Sequence, residues 1–436
     1  MAKTRIEAMV AKAISEAKIT DIHTHLYPPD FGPLFLWGMD EMLTFHYLVS
    51  EAFRWIDIAY DKFWKMSKRE QADLVWKTLF VDHSPVSEAA RGVLTVLDAL
   101  GLDVGFRNLD SYRSALAGKS ASEYIDEVFK LANIESVVMT NDPFDDLERP
   151  IWLAGAGKRC FGKRCFGKPL SRNASPRFHA ALRIDFLLNS WDEAMPRLKE
   201  WGYAVNEKLD KAACAEVRRF LADWIERMNP LYLGASLPPS FRFPEDSDRG
   251  RLVAECVLPV AESAGIACAL MIGVKRQVNP DLRLAGDCVG KADIEPVEYL
   301  CRHYPRVKFL VTMLSRENQH ELCAAARKFR NLMVFGCWWF LNTPSLIEEI
   351  TRMRVELLGT SFIPQHSDAR VLEHVIYKWN HSRAVTAKVL ADKYADLAAT
   401  GWFVTENEIR RDVEALLGGN FWEFLGKNQD NGSRGP

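Results

Sequence analysis

The feature that most constrains the fold of this chain is a regular alternation of short apolar runs with helix-like stretches. The runs are rich in β-branched residues and almost continuously apolar, which is typical of strands buried on both faces of a parallel sheet. Including one run near the start of the chain, eight strands are predicted. They cover residues 19–25, 134–140, 178–184, 231–237, 266–272, 307–313, 332–339 and 357–365.

Helical periodicity fills the intervals between successive strands. The predicted helices cover residues 191–201, 210–228, 249–264, 296–304, 317–329 and 344–356. Eight strands in a βα series predict an α/β fold, a (β/α)8 TIM-like barrel.

The remaining parts of the chain are assigned around this barrel. Residues 1–30 are predicted to form an N-terminal helix and strand one, and residues 31–132 a helical insertion. The rest of the barrel follows in 133–370, helices packed on the barrel in 371–427, and a flexible tail in 428–436.

Composition and charge narrow the class of protein. The chain has 436 residues, 48% of them hydrophobic, and a net charge of −2, which argues against a nucleic-acid partner. No apolar run has the length of a membrane span, and the amphipathic N-terminus lacks the apolar core of a signal peptide. Nine cysteines occur without disulfide-like spacing. We therefore expect a cytoplasmic protein without a membrane or nucleic-acid partner.

A pair of histidines marks the end of the first strand. His23 and His25 are two residues apart, so their imidazoles project from one face of the strand. In a closed barrel, strand eight lies beside strand one, which brings Asp368 next to the pair. Two neutral imidazoles and one carboxylate suit zinc or a similar divalent ion. The sequence therefore predicts one metal site formed by His23, His25 and Asp368.

Other polar and aromatic residues lie at the carboxyl ends of strands, where barrel enzymes carry their chemistry. Arg183 and Asp185 face one way on strand three, either toward a ligand or as an internal salt bridge. Trp338 and Trp339 form the end of strand seven and are expected to wall a pocket, with one of the two rings pointing outward. Arg370 follows Asp368, either as a site residue or as an exposed charge.

These residues resemble the amidohydrolase superfamily, and within it a divergent branch of the uronate isomerase family. The resemblance runs from strand one to residue 422, nearly the whole chain. The matching segments are Asp21-Ile22-His23-Thr24-His25, His46-Tyr47, Asn141-Asp142-Pro143, Leu182-Arg183-Ile184-Asp185, Gly336-Cys337-Trp338-Trp339-Phe340 and Ser367-Asp368-Ala369-Arg370.

The resemblance implies an aldose–ketose isomerase that interconverts D-glucuronate with D-fructuronate and D-galacturonate with D-tagaturonate. It implies one divalent ion, zinc or alternatively manganese, that binds the sugar acid. Asp368 would move a proton between C2 and C1, assisted by Tyr47 and Arg370 at the sugar oxygens. His46, Arg183, Trp338 and Trp339 would bind the substrate, and a homo-oligomer is expected.

The sequence also departs from the family pattern. Many members have an Asp and a His where this chain has Leu237 and Met271, so the roles of those residues do not transfer. Strands five and six end without histidine, which leaves a second metal without ligands. Two alternatives remain open: a mononuclear hydrolase of a lactone or amide, and a metal-stabilised barrel that only binds a sugar acid.

A tandem repeat in residues 157–168 contains two basic, glycine-flanked cysteine segments. A phosphate or nucleic-acid site is one interpretation of it. Because nothing else in the sequence supports such a role, we interpret the repeat as a duplication within a surface loop.

Overall fold

The structure is a computed structural model that describes residues 2–155 and 177–427. Its centre is a parallel sheet of seven strands, each hydrogen-bonded to the next along the chain. The strands are β1 (Ile19–Thr24), β2 (Ile134–Asn141), β3 (Phe178–Arg183), β4 (Tyr232–Leu237), β5 (Ala267–Ile272), β6 (Phe309–Met313) and β7 (Leu332–Val334). This curled sheet confirms the predicted α/β barrel class.

An irregular segment takes the place of the eighth strand. Ile363 makes a single parallel bridge to Phe335, beside β7. At its other edge the segment reaches β1, since the backbone N–H of Asp368 donates to the His23 carbonyl at 3.1 Å and that of His25 donates to the Ala369 carbonyl at 2.7 Å. The barrel therefore closes through backbone hydrogen bonds at this end.

The last two predicted strands are too long. Residues 357 and 358 still belong to the helix Pro344–Leu358, and β7 stops at Val334. Gly336 follows with a φ of +67°, which is not extended backbone. A side chain there is excluded, because a Cβ on Gly336 would lie 1.8 Å from Nδ1 of His366. The close packing of His366 against this turn ends the strand early.

Helices alternate with the strands as predicted, within three residues at each end. The helices between β3 and the closing segment are Asp185–Asn189, Trp191–Glu200, Lys211–Met228, Asp248–Leu252, a π-helical turn at Val253–Val257, Leu258–Ala264, Glu295–His303, Arg316–Asn318 (3-10), Gln319–Ala326, Trp339–Leu341 (3-10) and Pro344–Leu358. A short 3-10 segment, Pro280–Gly286, lies inside the antiparallel hairpin of Val274–Lys275 with Cys288–Val289.

The first helix of the chain, Ala2–Glu16, precedes β1, and the regular elements between β1 and β2 are helical. Those elements are Pro29–Leu34 (3-10), Met39–Leu43, His46–Ala52, Tyr60–Lys65, Lys68–Trp76, Lys77–Val81 (π), Glu88–Ala99, Val104–Phe106 (3-10), Leu109–Ala117 and Ala121–Ala132. One further helix, Glu148–Leu153, follows β2.

After the closing segment the chain is again helical, with His374–Ala399, Glu406–Glu414, a π-helical turn at Ala415–Gly419, and Asn420–Leu425. Phe421 of the last helix belongs to the apolar cluster inside the barrel, with its ring 6.4 Å from that of Tyr232. The division of the chain into separate units stays a prediction.

Two predicted segments, the repeat at 157–168 and the tail at 428–436, lie outside the described residues. In the described part of the chain, no helix is both long and apolar enough to cross a membrane.

Candidate functional site

Three side chains meet where β1 and the closing segment adjoin, as the sequence predicts. Nε2 of His23 and Nε2 of His25 lie 3.5 and 3.3 Å from the same oxygen, Oδ1 of Asp368. Among the described residues, this is the group of histidine, cysteine and carboxylate side chains that could hold a metal ion. Asp368 has a φ of +51°, an unusual conformation for a non-glycine residue. The closing segment is therefore held in a strained form that aims this carboxylate at the two imidazoles.

A tyrosine sets the protonation of His23. The Tyr232 hydroxyl donates to the carbonyl of Ile22 at 2.8 Å and lies 3.2 Å from Nδ1 of His23. Since the hydroxyl has one hydrogen, Nδ1 of His23 must be the donor in the second contact. Nε2 then carries a lone pair that faces Asp368.

A threonine does the same for His25. The hydroxyl of Thr140 donates to the carbonyl of Thr24 at 3.0 Å and lies 2.7 Å from Nδ1 of His25. Nδ1 is again the donor, which leaves a lone pair on Nε2. Burial also lowers the pKa of both imidazoles, well below the usual value in the case of His23, so the neutral form is favoured.

The resulting donor set fits a cation. Two imidazole lone pairs face the carboxylate of Asp368. Burial acts to raise the pKa of that carboxyl, and the ammonium group of Lys378 acts to lower it. Ligand atoms that are about 2.0–2.1 Å from a tetrahedral zinc ion are roughly 3.3–3.4 Å apart. The observed separations of 3.3 and 3.5 Å are close to this value. The three residues can therefore hold a small divalent ion and leave further positions open.

A buried hydrogen-bond network, which the sequence does not predict, holds the residue next to Asp368. The carboxylate of Asp21 accepts the backbone N–H of Ser367 at 3.0 Å and the indole N–H of Trp379 at 2.8 Å. The ammonium group of Lys378 donates to the Ser367 carbonyl at 2.6 Å, and burial lowers its pKa to about 8. These contacts fasten the residue before Asp368 to β1 and to the long helix His374–Ala399.

The three candidate ligands line a cavity of about 350 Å³ at the carboxyl ends of the strands. Most of the residues predicted from the sequence line it as well. They are His46, Arg183, Trp338, Trp339 and Arg370. Tyr47 is not among the lining residues, and Met271, at one of the departures from the family pattern, is.

Arg183 faces this cavity and is also part of a salt bridge. Its Nε donates to Oδ2 of Asp185 at 2.6 Å, and Oδ1 of Asp185 accepts the backbone N–H of Ser236. Arg183 thus lines the cavity while it is paired with Asp185. Its role toward a ligand stays a prediction.

Arg370 differs from Arg183 because it has no ion pair or hydrogen bond within the described residues. Its guanidinium carbon lies 5.7 Å from the ring centroid of Tyr27. Tyr27 is itself fixed, since its hydroxyl donates to the buried Glu148 at 3.0 Å. Because Arg370 lines the cavity, its charge is available to an anion there.

His46 and Tyr47 begin the short helix His46–Ala52. His46 reaches the cavity, where burial lowers its pKa to about 3 and its Nε2 has no partner in the described part of the chain. Tyr47 stacks edge-on against it, with ring centroids 4.3 Å apart, and lies under the ammonium group of Lys378. The structure thus places Tyr47 directly behind His46.

Trp338 and Trp339 both line the cavity, and the expectation that one ring points outward is wrong. That expectation assumes the alternation of an extended strand. The backbone of Trp339 instead has a φ of +48° and opens a 3-10 turn, so consecutive side chains no longer point in opposite directions. The indole N–H of Trp339 is buried without a partner in the described residues, which makes it a donor for a ligand.

The fold and site together define a barrel protein of the α/β class with a candidate mononuclear metal centre at the carboxyl ends of its strands. An uronate isomerase from Bacillus halodurans has a similar structure, with a TM-score of 0.92 and 56% sequence identity, over 98% of this chain and 97% of that chain. This chain belongs to the uronate isomerase family.

More distant structures share the fold alone. An uronate isomerase from Thermotoga maritima has a TM-score of 0.74 and 15% identity, with 97% of each chain covered. A glucuronate isomerase from Caulobacter crescentus has a TM-score of 0.77 and 15% identity, over 100% of this chain and 96% of that chain. Neither a family model nor a curated protein sequence matches this chain.

Proposed function

We propose that this protein is an uronate isomerase that interconverts D-glucuronate with D-fructuronate and D-galacturonate with D-tagaturonate. The observation that carries the proposal is the 56% identity to the B. halodurans uronate isomerase over 98% of this chain. The cavity adds chemical support, because it combines a candidate metal centre with the unpaired cation of Arg370.

The reaction moves one proton from C2 to C1 and a second from the C2 oxygen to the C1 oxygen, and it needs no co-reactant. The open-chain sugar loses the proton on C2 and gains one on C1, so the C1 aldehyde becomes an alcohol while the C2 hydroxyl becomes a ketone. The intermediate is an enediol, whose formation needs a positioned base and groups that stabilise charge on two oxygens. Asp368 is the proposed base, since it is ionised and is held rigidly by the contacts of its segment.

Two further residues are proposed to act at the sugar oxygens. The guanidinium of Arg370 would donate to the C1 and C2 oxygens and stabilise the negative charge that develops there. Tyr47, which packs behind His46, is proposed to stabilise the proton on these oxygens as a hydrogen-bond donor. Burial raises the pKa of Tyr47 well above its ordinary value, so its hydroxyl keeps its proton and serves as a donor.

Substrate binding is assigned to the remaining lining residues. Arg183 presents terminal N–H groups that match a carboxylate in two-point geometry. His46 and the indole N–H of Trp339 would hydrogen-bond sugar hydroxyls, and Trp338 would shield the reacting carbons from water. The two tryptophans also offer apolar faces for the C–H surface of the sugar.

One divalent ion, which we propose to be zinc with manganese as the alternative, would be held by His23, His25 and Asp368. When bound, it supplies a positive charge for the sugar carboxylate and makes a neighbouring hydroxyl more acidic. Both imidazoles already have the tautomer that such an ion requires.

We also propose that the enzyme works in the cytoplasm as a homo-oligomer on a small sugar acid. The seven cysteines that the structure describes are free thiols, which favours a reducing compartment.

The test is turnover of D-glucuronate and D-galacturonate by zinc- or manganese-loaded protein, with the ketose detected through a coupled reductase. Aldonolactones serve as the comparison substrates. We expect ketose formation and intact lactones. Lactone opening without ketose formation would assign the protein to the hydrolases and overturn the proposal.

A further inference from the structure

A second pocket adjoins the cavity of the candidate metal centre on the side of β3 and β4. This outer pocket has a volume of about 460 Å³, and residues that belong to it alone include Asn189, Ser190, Pro238 and Arg249. Because the isomerisation of a single uronate is fully accounted for by the first cavity, the outer pocket is not needed for it.

The two spaces adjoin at a common set of lining residues. Asp142, Arg183, Asp185, Ser236 and Arg276 line both of them. None of the candidate metal ligands lines the outer pocket, so the two spaces meet away from the candidate metal centre.

Guanidinium groups distinguish the outer pocket. Nη1 of Arg249 forms an ion pair with Glu245 at 3.7 Å, and its Nε is buried without a hydrogen-bond partner in the described residues. Arg276 uses Nη1 for Asp287, at 2.6 Å, and more than half of its side chain remains exposed. Together with Arg183, these residues place three cations around the pocket.

Each of the three guanidinium groups has a carboxylate partner, which is Asp185 for Arg183, Glu245 for Arg249 and Asp287 for Arg276. Both oxygens of Asp185 are engaged, by Nε of Arg183 and by the backbone N–H of Ser236. Asp142 accepts the backbone N–H of Phe144 at 2.9 Å. These ion pairs do not engage every guanidinium N–H group, and the N–H groups without a hydrogen bond among the described residues are donors for a carboxylate. Asn189 and Ser190 also line the pocket.

We propose that the outer pocket binds a second, carboxylate-bearing sugar unit, so that the substrates include diuronates isomerised at their reducing end. The inference rests on the proposed function. With the carboxylate end of the reducing sugar at the metal centre and C1 and C2 near Asp368 and Arg370, the middle of the sugar would face the residues that line both spaces. A unit linked through O4 would then enter the outer pocket.

The reaction of a diuronate is the same as that of a single uronate. The reducing-end unit opens to its aldehyde, the C2 proton is transferred to C1, and the glycosidic bond at O4 stays intact. Arg249 would contact the carboxylate of the second unit, and it is a binding residue rather than a catalytic one. Its removal should therefore affect diuronates and spare single uronates.

The experiment compares galacturonate with O4-linked digalacturonate, each incubated with the metal-loaded full chain. Loss of the reducing-end anomeric proton by NMR reports isomerisation of either substrate. The variant is Arg249→Gln. The matched control is Arg251→Gln, because Arg251 is exposed on the same helix and donates to the Lys208 carbonyl outside the pocket.

We expect wild type to isomerise both sugars. Arg249→Gln should lower kcat/KM for digalacturonate about tenfold and leave that for galacturonate within about twofold, since a hydrogen bond to a charged group is lost. Arg251→Gln should leave both values unchanged. A drop for both sugars with Arg249→Gln would show a general structural effect and contradict the inference.

Three other outcomes also overturn it. If galacturonate is isomerised and digalacturonate is untouched, the outer pocket does not admit a second unit while the proposed function stands. If digalacturonate is isomerised equally well by Arg249→Gln and wild type, the pocket does not recognise the second carboxylate. If neither sugar is converted, the proposed function fails, and the inference fails with it.

Discussion

The hydroxyl of Tyr232 lies 3.2 Å from Nδ1 of His23 and donates its only hydrogen to the carbonyl of Ile22 at 2.8 Å. A residue at the start of β4 thus decides which nitrogen of a β1 histidine can bind a metal. Thr140 at the end of β2 has the same relationship to His25. The candidate metal centre is preorganised from two other strands of the barrel.

Removal of either hydroxyl should weaken metal binding. Tyr232→Phe and Thr140→Val keep the shape of the side chain and abolish the acceptor for Nδ1–H, so each should raise the Kd for zinc about 10- to 100-fold. Competition with a chromophoric chelator measures the Kd. Tyr203→Phe is the control, because its hydroxyl bonds to Asp223 instead. An unchanged Kd in both test variants would refute the assigned tautomers.

Asp21→Asn should destabilise the fold. Both carboxylate oxygens of Asp21 accept N–H groups, from Ser367 and Trp379, and an asparagine can accept only through one. One buried donor would face an amide N–H, at a cost of roughly 1–3 kcal/mol in the free energy of unfolding. Denaturant unfolding measures it, with the exposed Asp57→Asn as the control. Equal stability of Asp21→Asn and wild type would contradict the prediction that a buried N–H group loses its acceptor.

Glu373→Gln should change the pH dependence of stability. Burial raises the pKa of Glu373 from 4.5 to about 7, although its carboxyl accepts the backbone N–H of Gly38 and the hydroxyl of Tyr124. Glu41 also faces it and raises the pKa further.

Because the folded state holds this proton more tightly, its contribution to stability is complete below about pH 4.5 and is lost as the pH rises through about 7. Wild type should therefore lose stability relative to Glu373→Gln between these values, by an amount on the order of 3 kcal/mol. Tm measured against pH in both proteins tests this, with the exposed Glu135→Gln as the control. Parallel pH profiles for wild type and Glu373→Gln would contradict the assignment.

Arg370→Lys should impair the reaction while the charge is kept. A lysine cannot supply two parallel N–H donors, so kcat/KM for glucuronate should fall about 10- to 100-fold. The exposed Arg410→Lys should leave the rate unchanged. Steady-state kinetics of both variants provide the test. Full activity of Arg370→Lys would show that the paired N–H donors of the Arg370 guanidinium are not needed at the sugar oxygens.

Much of this fold could be predicted from the sequence because one physical rule governs it. Continuous apolar strands separated by helices must form a parallel sheet, and closure of that sheet places the start of the barrel beside its end. His23, His25 and Asp368 could thus be brought together across more than 300 positions of sequence.

Prediction from the sequence fails or misses a residue where the backbone leaves regular geometry or where a contact is long-range. The turn at Gly336 ends β7 early. The left-handed backbone of Trp339 turns both indoles toward the cavity, which alternation along a strand cannot predict. Lys378 and Trp379 belong to a helix without any local signal, and their role follows only from contacts with Ser367 and Asp21.

The most direct test of the account is the isomerisation rate of Asp368→Asn at measured metal occupancy. Glucuronate conversion is followed by NMR, and bound zinc is quantified in the same sample, with excess zinc present to saturate the remaining ligands His23 and His25. We predict that wild type forms the ketose and that metal-loaded Asp368→Asn forms none detectably. A metal-loaded variant that isomerises glucuronate at the wild-type rate would contradict the claim that Asp368 moves the proton.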